Sequence, residues 1–248
     1  TTRLNHALDS GFNFDLAAKL LSGADREQDP DAAFGLARAY GAYEQASNGA
    51  FVDAPFLSNH DQTRVMTALN GNEEHARMAA AMLLTMPGNP FIYYGEELGL
   101  TGSKPDERLR EPMPWTASLN GVDQTRWMEP MFAKGGDVSV EREEADSGSI
   151  LQWYKTLIQW RNDENALKNG GMDFFKLGDE KGLSAYIRMT ADERVLVVHN
   201  LTNKPLQAVI SNQTVYGAFT TIAHATDAAA TLEAHTLNMP PYSTVIVK

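Results

Sequence analysis

A histidine and an aspartate at the end of an apolar stretch are the residues of this sequence best suited to chemistry. Residues 56–61 read Phe-Leu-Ser-Asn-His-Asp and pass from apolar side chains into an Asn-His-Asp cluster. In a parallel sheet closed by helices, polar side chains at the carboxyl end of a strand face the substrate. A carboxylate beside an imidazole can hold two neighbouring hydroxyls of a sugar. His60 and Asp61 are therefore candidate sugar-binding residues.

A second apolar run, further along the chain, also ends in a polar loop. The aromatic run Phe91–Tyr94 breaks at Gly95 into an acidic loop that extends to Trp115. Residues 56–64 read FLSNHDQTR, residues 90–99 read PFIYYGEELG, and residues 102–115 read GSKPDERLREPMPW. The first two segments resemble the fourth signature region and the eighth barrel strand of the α-amylase family of retaining glycoside hydrolases. The third is similar to the loop that follows this strand in bacterial α-amylases and oligo-glucosidases.

The elements that position these residues alternate between strands and helices in the first part of the chain. Predicted strands cover Gly11–Phe14, Phe51–Leu57 and Phe91–Tyr94. Predicted helices run from Asp15 to about Leu21, from the proline-opened start at Asp29-Pro30 to about Ala46, from the cap Asn72 to Pro87-Gly88, and from Ser147 or Ser149 through Trp160. Strands separated by helices indicate right-handed βαβ units and a parallel sheet.

From about Asn169 the pattern changes to short strands separated by turn residues. These predicted strands are Phe174-Phe175, Leu183–Ile187, Val195–Val198, Ala208–Ile210 and Thr244–Val247. Their spacing predicts a small antiparallel β-sandwich. The resemblance implies that residues 1–170 hold the sixth to eighth strands of a (β/α)8 TIM barrel and residues 171–248 its C-terminal sandwich domain, with Gly170-Gly171 as the hinge. On this interpretation the chain matches the last half of a full-length enzyme.

The resemblance also implies roles for four residues. Asp61 corresponds to a catalytic carboxylate that holds the hydroxyls of the sugar at the cleavage point, and His60 donates a hydrogen bond to the same sugar. Asp106 and Arg110 correspond to residues that bind the next glucose on the non-reducing side. The structural alternatives are a helix N-cap for Asp61, a structural histidine for His60, and an exposed salt bridge between Asp106 and Arg110.

Other polar and aromatic residues near these segments have less specific interpretations. We expect Arg64 to pair with a nearby carboxylate, and Glu96 or Glu97 to serve the hydrogen bonds of their own loop. Trp115 and Trp127 can either stack on sugar faces or pack under the long loop. The histidines show no His-x-x-x-His or carboxylate spacing typical of zinc, so no metal ligands are assigned. We expect no cofactor in this chain; the resemblance allows calcium elsewhere in the full-length protein.

Retaining glycoside hydrolysis needs a nucleophilic carboxylate and a carboxylic acid roughly 5 Å apart. In the family these lie on the fourth and fifth strands, and no segment here resembles them. The resemblance therefore implies part of an α-amylase-type hydrolase of α-1,4-glucans such as starch and maltooligosaccharides. The alternatives are an α-glucosidase, an oligo-1,6-glucosidase or a glucan transferase of the same family, and a non-catalytic carbohydrate-binding or assembly fragment. We expect the isolated chain to be inactive and to associate with the missing N-terminal half of the barrel, which a partner chain could supply, or with itself.

The composition of the chain also limits the kinds of partner that it can bind. The 248 residues include 32 acidic and 21 basic side chains, a net charge of −11, which argues against nucleic acid and anionic membranes as partners. Cysteine is absent, so disulfides and thiolate metal sites are excluded. No run approaches the ~18 apolar residues that span a membrane. The start, Thr1-Thr2-Arg3, has no signal-peptide pattern and looks cut, which leaves the localisation open.

Overall fold

The chain folds as a group of β/α units followed by two antiparallel sheets. The computed structural model describes residues 9–28, 32–178, 181–211 and 214–248. Its helices are α1 (Phe14–Asp25), α2 (Ala32–Ser47), α3 (Val65–Ala68), α4 (Glu73–Thr85), α5 (Asp106–Leu109), α6 (Val140–Ala145), α7 (Ile150–Asp163) and α8 (Asn165–Asn169). Its strands are β1 (Ser10–Phe12), β2 (Val52–Ala54), β3 (Gly171–Phe174), β4 (Leu183–Met189), β5 (Arg194–Asn200), β6 (Leu206–Val209), β7 (Ile222–Ala225), β8 (Thr231–Glu233), β9 (Thr236–Met239) and β10 (Thr244–Val247).

The parallel sheet is shorter than the sequence predicts. Strands β1 and β2 pair in parallel, but the predicted strand at 91–94 is reduced to one parallel bridge between Phe56 and Phe91. The prediction of a full third strand is therefore wrong. Pro55 and Pro90 explain the shortening, because neither residue has an N–H to donate to a neighbouring strand. The backbone continues alongside through the N–H of Phe91, which donates to the carbonyl of Pro55 at 2.8 Å.

Capping side chains fix where the helices of the β/α units begin. Asn72 caps α4 by accepting from the N–H of His75 at 3.2 Å, and Ser149 caps α7 by accepting from Gln152 at 3.2 Å, as predicted. Asn13 caps α1, so β1 ends at Phe12 instead of continuing to Phe14 as predicted. Helix α1 extends to Asp25. The predicted helix start at Asp29-Pro30 lies outside the described residues. Each cap satisfies a backbone donor that has no partner within its helix.

The last third of the chain is a sandwich, as predicted. One sheet has the strand order β3-β4-β5-β10-β7 and the other β6-β9-β8, and every strand pair is antiparallel. Strands β7, β8 and β9 were not predicted, because each has only three or four residues and none has a continuous apolar run like that of β10. The predicted boundary between residues 170 and 171 falls between α8 and β3.

The larger sheet is buried on both faces. Side chains alternate across a strand, so one set of β4, β5 and β10 residues faces the smaller sheet and the other faces the helices. The first set comprises Leu183, Ala185, Ile187, Leu196, Val198, Val245 and Val247. The second comprises Tyr186, Val195, Val197 and Ile246, which share a core with residues of α1, α4 and α7. A single apolar core therefore joins the β/α units to the sandwich.

Two buried arginines connect the β/α units to the sandwich. The Arg188 guanidinium, on β4, donates to the carbonyls of Thr85 at the end of α4, of Leu167 and Gly170 at the end of α8, and of Gly171. Arg161, on α7, donates to the carbonyls of Leu84 at 2.9 Å, Met86 at 2.7 Å and Gly88. The last carbonyls of a helix have no partner within it, and a cation is favoured there. These contacts therefore satisfy carbonyls at the ends of α4 and α8 and hold β4 against them.

Replacing Arg188 with methionine should lower the free energy of unfolding by about 3 kcal/mol, because buried carbonyls would be left without a donor. Urea unfolding followed by circular dichroism measures this change. Arg142→Gln, at an exposed position of α6, is the matched control and should shift stability by less than about 0.5 kcal/mol. Equal stability of the wild-type and Arg188→Met proteins would show that water replaces the guanidinium at no cost.

Candidate functional site

The Asn59–Asp61 segment forms a turn that follows strand β2 and the bridge at Phe56. The N–H of Asp61 donates to the side-chain oxygen of Asn59 at 2.9 Å, and the N–H of Gln62 donates to the Asn59 carbonyl at 3.2 Å. Helix α3 begins only at Val65, and its N-cap position is Arg64. The alternative of Asp61 as a helix N-cap is therefore wrong. Its carboxylate is left free to contact side chains and ligands.

Arg110 brings the predicted site residues together. Its Nη2 lies 2.7 Å from Oδ1 of Asp61 and 3.4 Å from Oδ2 of Asp106, and its Nε donates to the carbonyl of His60 at 3.0 Å. The imidazole Nε2 of His60 lies 3.3 Å from Oδ2 of Asp61. The four side chains, between 42% and 62% exposed, form one polar edge open to solvent. The exposed Asp106–Arg110 ion pair exists, as the structural alternative proposed, but Arg110 also reaches Asp61.

Lys104 adds a second cation to this edge. Its ammonium group contacts Oδ1 of Asp106. This hydrogen bond, together with the charges of Lys104 and Arg110, holds the pKa of the exposed Asp106 carboxyl below its usual value. An ionised carboxylate accepts hydrogen bonds and donates none. Asp106 is therefore a hydrogen-bond acceptor beside two donors, an arrangement suited to adjacent hydroxyl groups.

Glu111 anchors the loop that carries Arg110. Its buried carboxylate accepts backbone N–H bonds from Met131 at 2.9 Å, Phe132 at 2.8 Å and Ala133 at 2.9 Å, and it pairs with Arg108 at 3.0 Å. Burial tends to raise the pKa of Glu111, but these donors outweigh it and hold the pKa below its usual value. The ionised carboxylate thus fixes the long loop next to the site. No pattern in the sequence predicted this role of Glu111.

Arg64 has a different partner from the one predicted. The prediction that it pairs with a carboxylate is wrong, since no carboxylate lies within ion-pair distance of Arg64 in the described part of the chain. Its guanidinium stacks 4.7 Å from the ring centre of Tyr93 and 4.9 Å from that of Tyr94. It also donates to the carbonyl of Tyr94 at 2.7 Å. Stacking on aromatic rings partly replaces the hydration that the buried cation loses.

Glu96 lies directly behind the Asn59–Asp61 turn. Its carboxyl group accepts from the Ser58 hydroxyl at 3.0 Å and from the Tyr154 hydroxyl at 2.9 Å. The prediction that Glu96 or Glu97 serves the hydrogen bonds of their own loop holds for Glu97, which accepts from the backbone of Gly95 and of Glu97 itself. It does not hold for Glu96, because its partners precede the Asn59–Asp61 turn and lie on α7. Burial raises the pKa of Glu96 to about 8, against the effect of both hydrogen bonds. The signal available in the sequence was Tyr154, a hydroxyl on the apolar face of α7 that needs a buried partner.

Three further findings bear on ligands. Trp115 and Trp127 are exposed, so both rings are free to stack, and sugar stacking stays a prediction. Within the described ranges, no group of three or more His, Cys, Asp or Glu side chains could hold a metal ion. The helices of those same ranges include none long and apolar enough to cross a membrane.

Two family models match the chain. The model "Alpha amylase, catalytic domain" matches residues 4–170, and the model "Alpha-amylase SusG C-terminal domain" matches residues 183–246. Alpha-amylase 3 of Dictyoglomus thermophilum is 37% identical over 246 residues, which are 97% of this chain and 47% of that protein. Alpha-amylase SusG of Bacteroides thetaiotaomicron is 32% identical over 208 residues, 80% of this chain and 29% of that protein.

The fold comparison agrees with the sequence matches. The crystal structure of an alpha-amylase from H. orenii superposes with a TM-score of 0.84 at 33% identity, covering 97% of this chain and 49% of that one. The chain thus spans about half the length of this structure and of the Dictyoglomus relative, and less than a third of SusG. The β/α units are part of a (β/α)8 barrel, and the sandwich is the C-terminal domain that follows it.

Glu111→Gln should reduce stability near neutral pH by about 2 kcal/mol, because an amide cannot accept from all the backbone donors. The folded-state pKa of Glu111 lies below its unfolded value, so its contribution is present above the unfolded pKa and is lost as the pH falls through the folded one. The difference between wild type and variant should therefore shrink in acid. Thermal unfolding at a series of acidic pH values measures this stability difference, and the exposed Glu107→Gln is the control. A difference that does not change with pH would contradict this role.

Proposed function

Because this chain belongs to the α-amylase family, we propose that it supplies the sugar-binding edge of a retaining glycoside hydrolase that acts on α-1,4-glucans such as starch and maltooligosaccharides. The observation that carries the proposal is the convergence of His60, Asp61 and Asp106 on Arg110. Carboxylates and cationic donors alternate along this edge and match the adjacent hydroxyls of a glucose ring.

Each residue has a proposed task. Asp61 holds the hydroxyls of the sugar at the cleavage point and strengthens its contact as the oxocarbenium-like transition state forms. His60 donates to the same sugar, while Asp106 and Arg110 bind the next glucose on the non-reducing side. Arg110 also fixes Asp61 in place before substrate arrives, which lowers the ordering cost of binding. The nucleophile and the general acid come from barrel strands that this sequence does not resemble.

An exposed cluster of aromatic side chains supports the proposal that another polypeptide segment packs against this chain. Phe12, Phe14 and Phe91 are 51%, 55% and 50% exposed at the parallel strands. Phe56 lies edge-to-face with Phe12 at 5.3 Å and with Phe14 at 5.0 Å, and Phe91 lies 4.9 Å from Phe12. Parallel sheets are normally covered on both faces, and exposed apolar patches indicate contact surfaces. We propose that the remaining strands of the barrel cover this cluster, and that the chain self-associates without them.

Related activities and a binding role are the alternatives. An α-glucosidase, an oligo-1,6-glucosidase or a glucan transferase would use the same edge with a different bond or chain-length preference. A non-catalytic carbohydrate-binding fragment would bind maltooligosaccharides through these residues and hydrolyse none. Calcium in the full-length protein would bind outside the described residues or with ligands that they do not supply alone.

The isolated 248-residue chain should show no hydrolysis of a chromogenic maltooligosaccharide, because nothing in it resembles the segments that carry the nucleophile and the acid. Intact mass and gel filtration of the same sample establish whether a second chain is present and whether the protein is larger than a monomer. Hydrolysis by a single pure species that Asp61→Asn abolishes would overturn the proposal. Activity that copurifies with a second chain would instead identify the source of the other carboxylates.

In the complete enzyme, Asp61→Asn should lower kcat about 10²–10³-fold, since a charge that stabilises the transition state is removed. Steady-state hydrolysis of a maltooligosaccharide measures the loss. Asp123→Asn, an exposed carboxylate of the long loop, is the matched control and should retain wild-type kcat. Equal losses in both variants would mean that Asp61 has no special part in the reaction.

A further inference from the structure

The Glu96 carboxyl group joins three separate parts of the chain behind the sugar-binding edge. It lies at the start of the short 3₁₀ turn Glu96–Leu98. One oxygen contacts Ser58, which immediately precedes the Asn59–Asp61 turn, and the other contacts Tyr154 on α7. All three residues are buried, with 6% of Glu96, 3% of Ser58 and 2% of Tyr154 exposed.

The groups around Glu96 offer little to balance a negative charge. Glu97, the next residue of the 3₁₀ turn, contributes a second carboxylate, and the Tyr154 hydroxyl is neutral. Arg64 is the cation that acts on Glu96, but its guanidinium stacks on Tyr93 and Tyr94 and donates to a carbonyl. It makes no ion pair with Glu96. Burial without an ion-pair partner favours the neutral acid, which can accept from one hydroxyl and donate to the other, whereas a carboxylate would accept from both.

The link from Glu96 to the site is short. Ser58 immediately precedes the turn, and Asp61 is held within the turn by the hydrogen bond to Asn59. The opposite side of the turn is held by Arg110, which is exposed. The buried contact of Ser58 therefore fixes the start of the turn, while Arg110 contacts its exposed side.

We propose that Glu96 is a positioning residue that acts in its neutral, protonated form, holding Ser58 against Tyr154 so that the Asn59–Asp61 turn presents Asp61 to the substrate. The inference rests on the proposed function, because it assigns to Glu96 a part in the same site. Deprotonation places a charge beside Glu97 in a buried space, so water enters around Glu96 and the turn loosens.

The sign of the pH dependence follows from burial. The folded-state pKa of Glu96, about 8, lies above its unfolded value, so the native protein binds the proton more tightly than the unfolded chain. Stability therefore falls as the pH rises between the two values, and Asp61-dependent turnover should fall as the pH passes the folded value. A glutamine at this position keeps an acceptor and a donor but cannot ionise, which removes both effects.

The test uses the complete enzyme and pH profiles of kcat and KM for wild type, Glu96→Gln and Glu96→Ala. Glu96→Ala should lower kcat about tenfold across the profile with KM nearly unchanged, and Glu96→Gln should recover most of kcat near neutral pH. Wild-type kcat should decline in alkali, and Glu96→Gln should extend the plateau by at least about one pH unit. Glu143→Gln is the matched control, because Glu143 is another buried glutamate whose pKa burial raises to about 7, between α6 and α7. Its alkaline decline should match wild type.

A readout that needs no activity separates this inference from the proposed function. Hydrogen–deuterium exchange of residues 58–62, corrected for the intrinsic rate, should accelerate in wild type above the Glu96 pKa and not in Glu96→Gln. If the enzyme hydrolyses no α-glucan, the proposed function fails, while the exchange result still decides whether Glu96 holds the turn. The inference is overturned by an alkaline decline of kcat and an exchange profile that are the same in wild type and Glu96→Gln.

Discussion

The fold depends on two buried guanidinium groups that bind carbonyl oxygens instead of carboxylates. Arg188 and Arg161 bind carbonyls at the end of α4 and just beyond it, and burial lowers their pKa values to about 9 and about 10. Both remain charged near neutral pH, with their positive charge held by backbone dipoles. The end of α4 is thereby fixed to β4, α7 and α8 at once. Since α4 leads directly into the segment that carries Phe91, this constraint also sets where the parallel bridge between Phe56 and Phe91 forms.

The polar contacts of the protein change from fully buried near β4 to solvent-exposed at the sugar-binding edge. Behind β4, a buried chain of hydrogen bonds links Thr85, Tyr186 and His199 at 2.7 and 2.9 Å, and continues to Thr244 at 2.8 Å. Burial lowers the pKa of His199 to about 3, so this histidine is a neutral member of the network. The Glu96 contacts are also buried, whereas the pairs around Arg110 are exposed.

The sequence was sufficient for the parts of the site that follow from local order. The Asn-His-Asp cluster, the Asp106–Arg110 spacing, the caps Asn72 and Ser149 and the sandwich are all properties of short segments or of alternation along them. What it could not supply depends on distant residues. The stacking of Arg64 on tyrosines joins residues far apart in the chain, and no local pattern marks it. The position of Tyr154 on the apolar face of α7 indicates that its hydroxyl needs a buried partner, but not that the partner is Glu96. The overestimated third strand has a local cause, the prolines on both sides of the predicted pairing.

The sheet that is buried on both faces limits how far the C-terminal domain can act as an interchangeable module. Its outer face packs against its own small sheet, but Tyr186, Val195, Val197 and Ile246 complete the core of the β/α units. A graft of this sandwich onto another barrel would carry an apolar surface shaped for α4 and α7, together with a guanidinium that needs their carbonyls. Recombination in this family would therefore succeed where the exchanged segment includes those helices, and a cut at the glycine pair alone would divide one core in two.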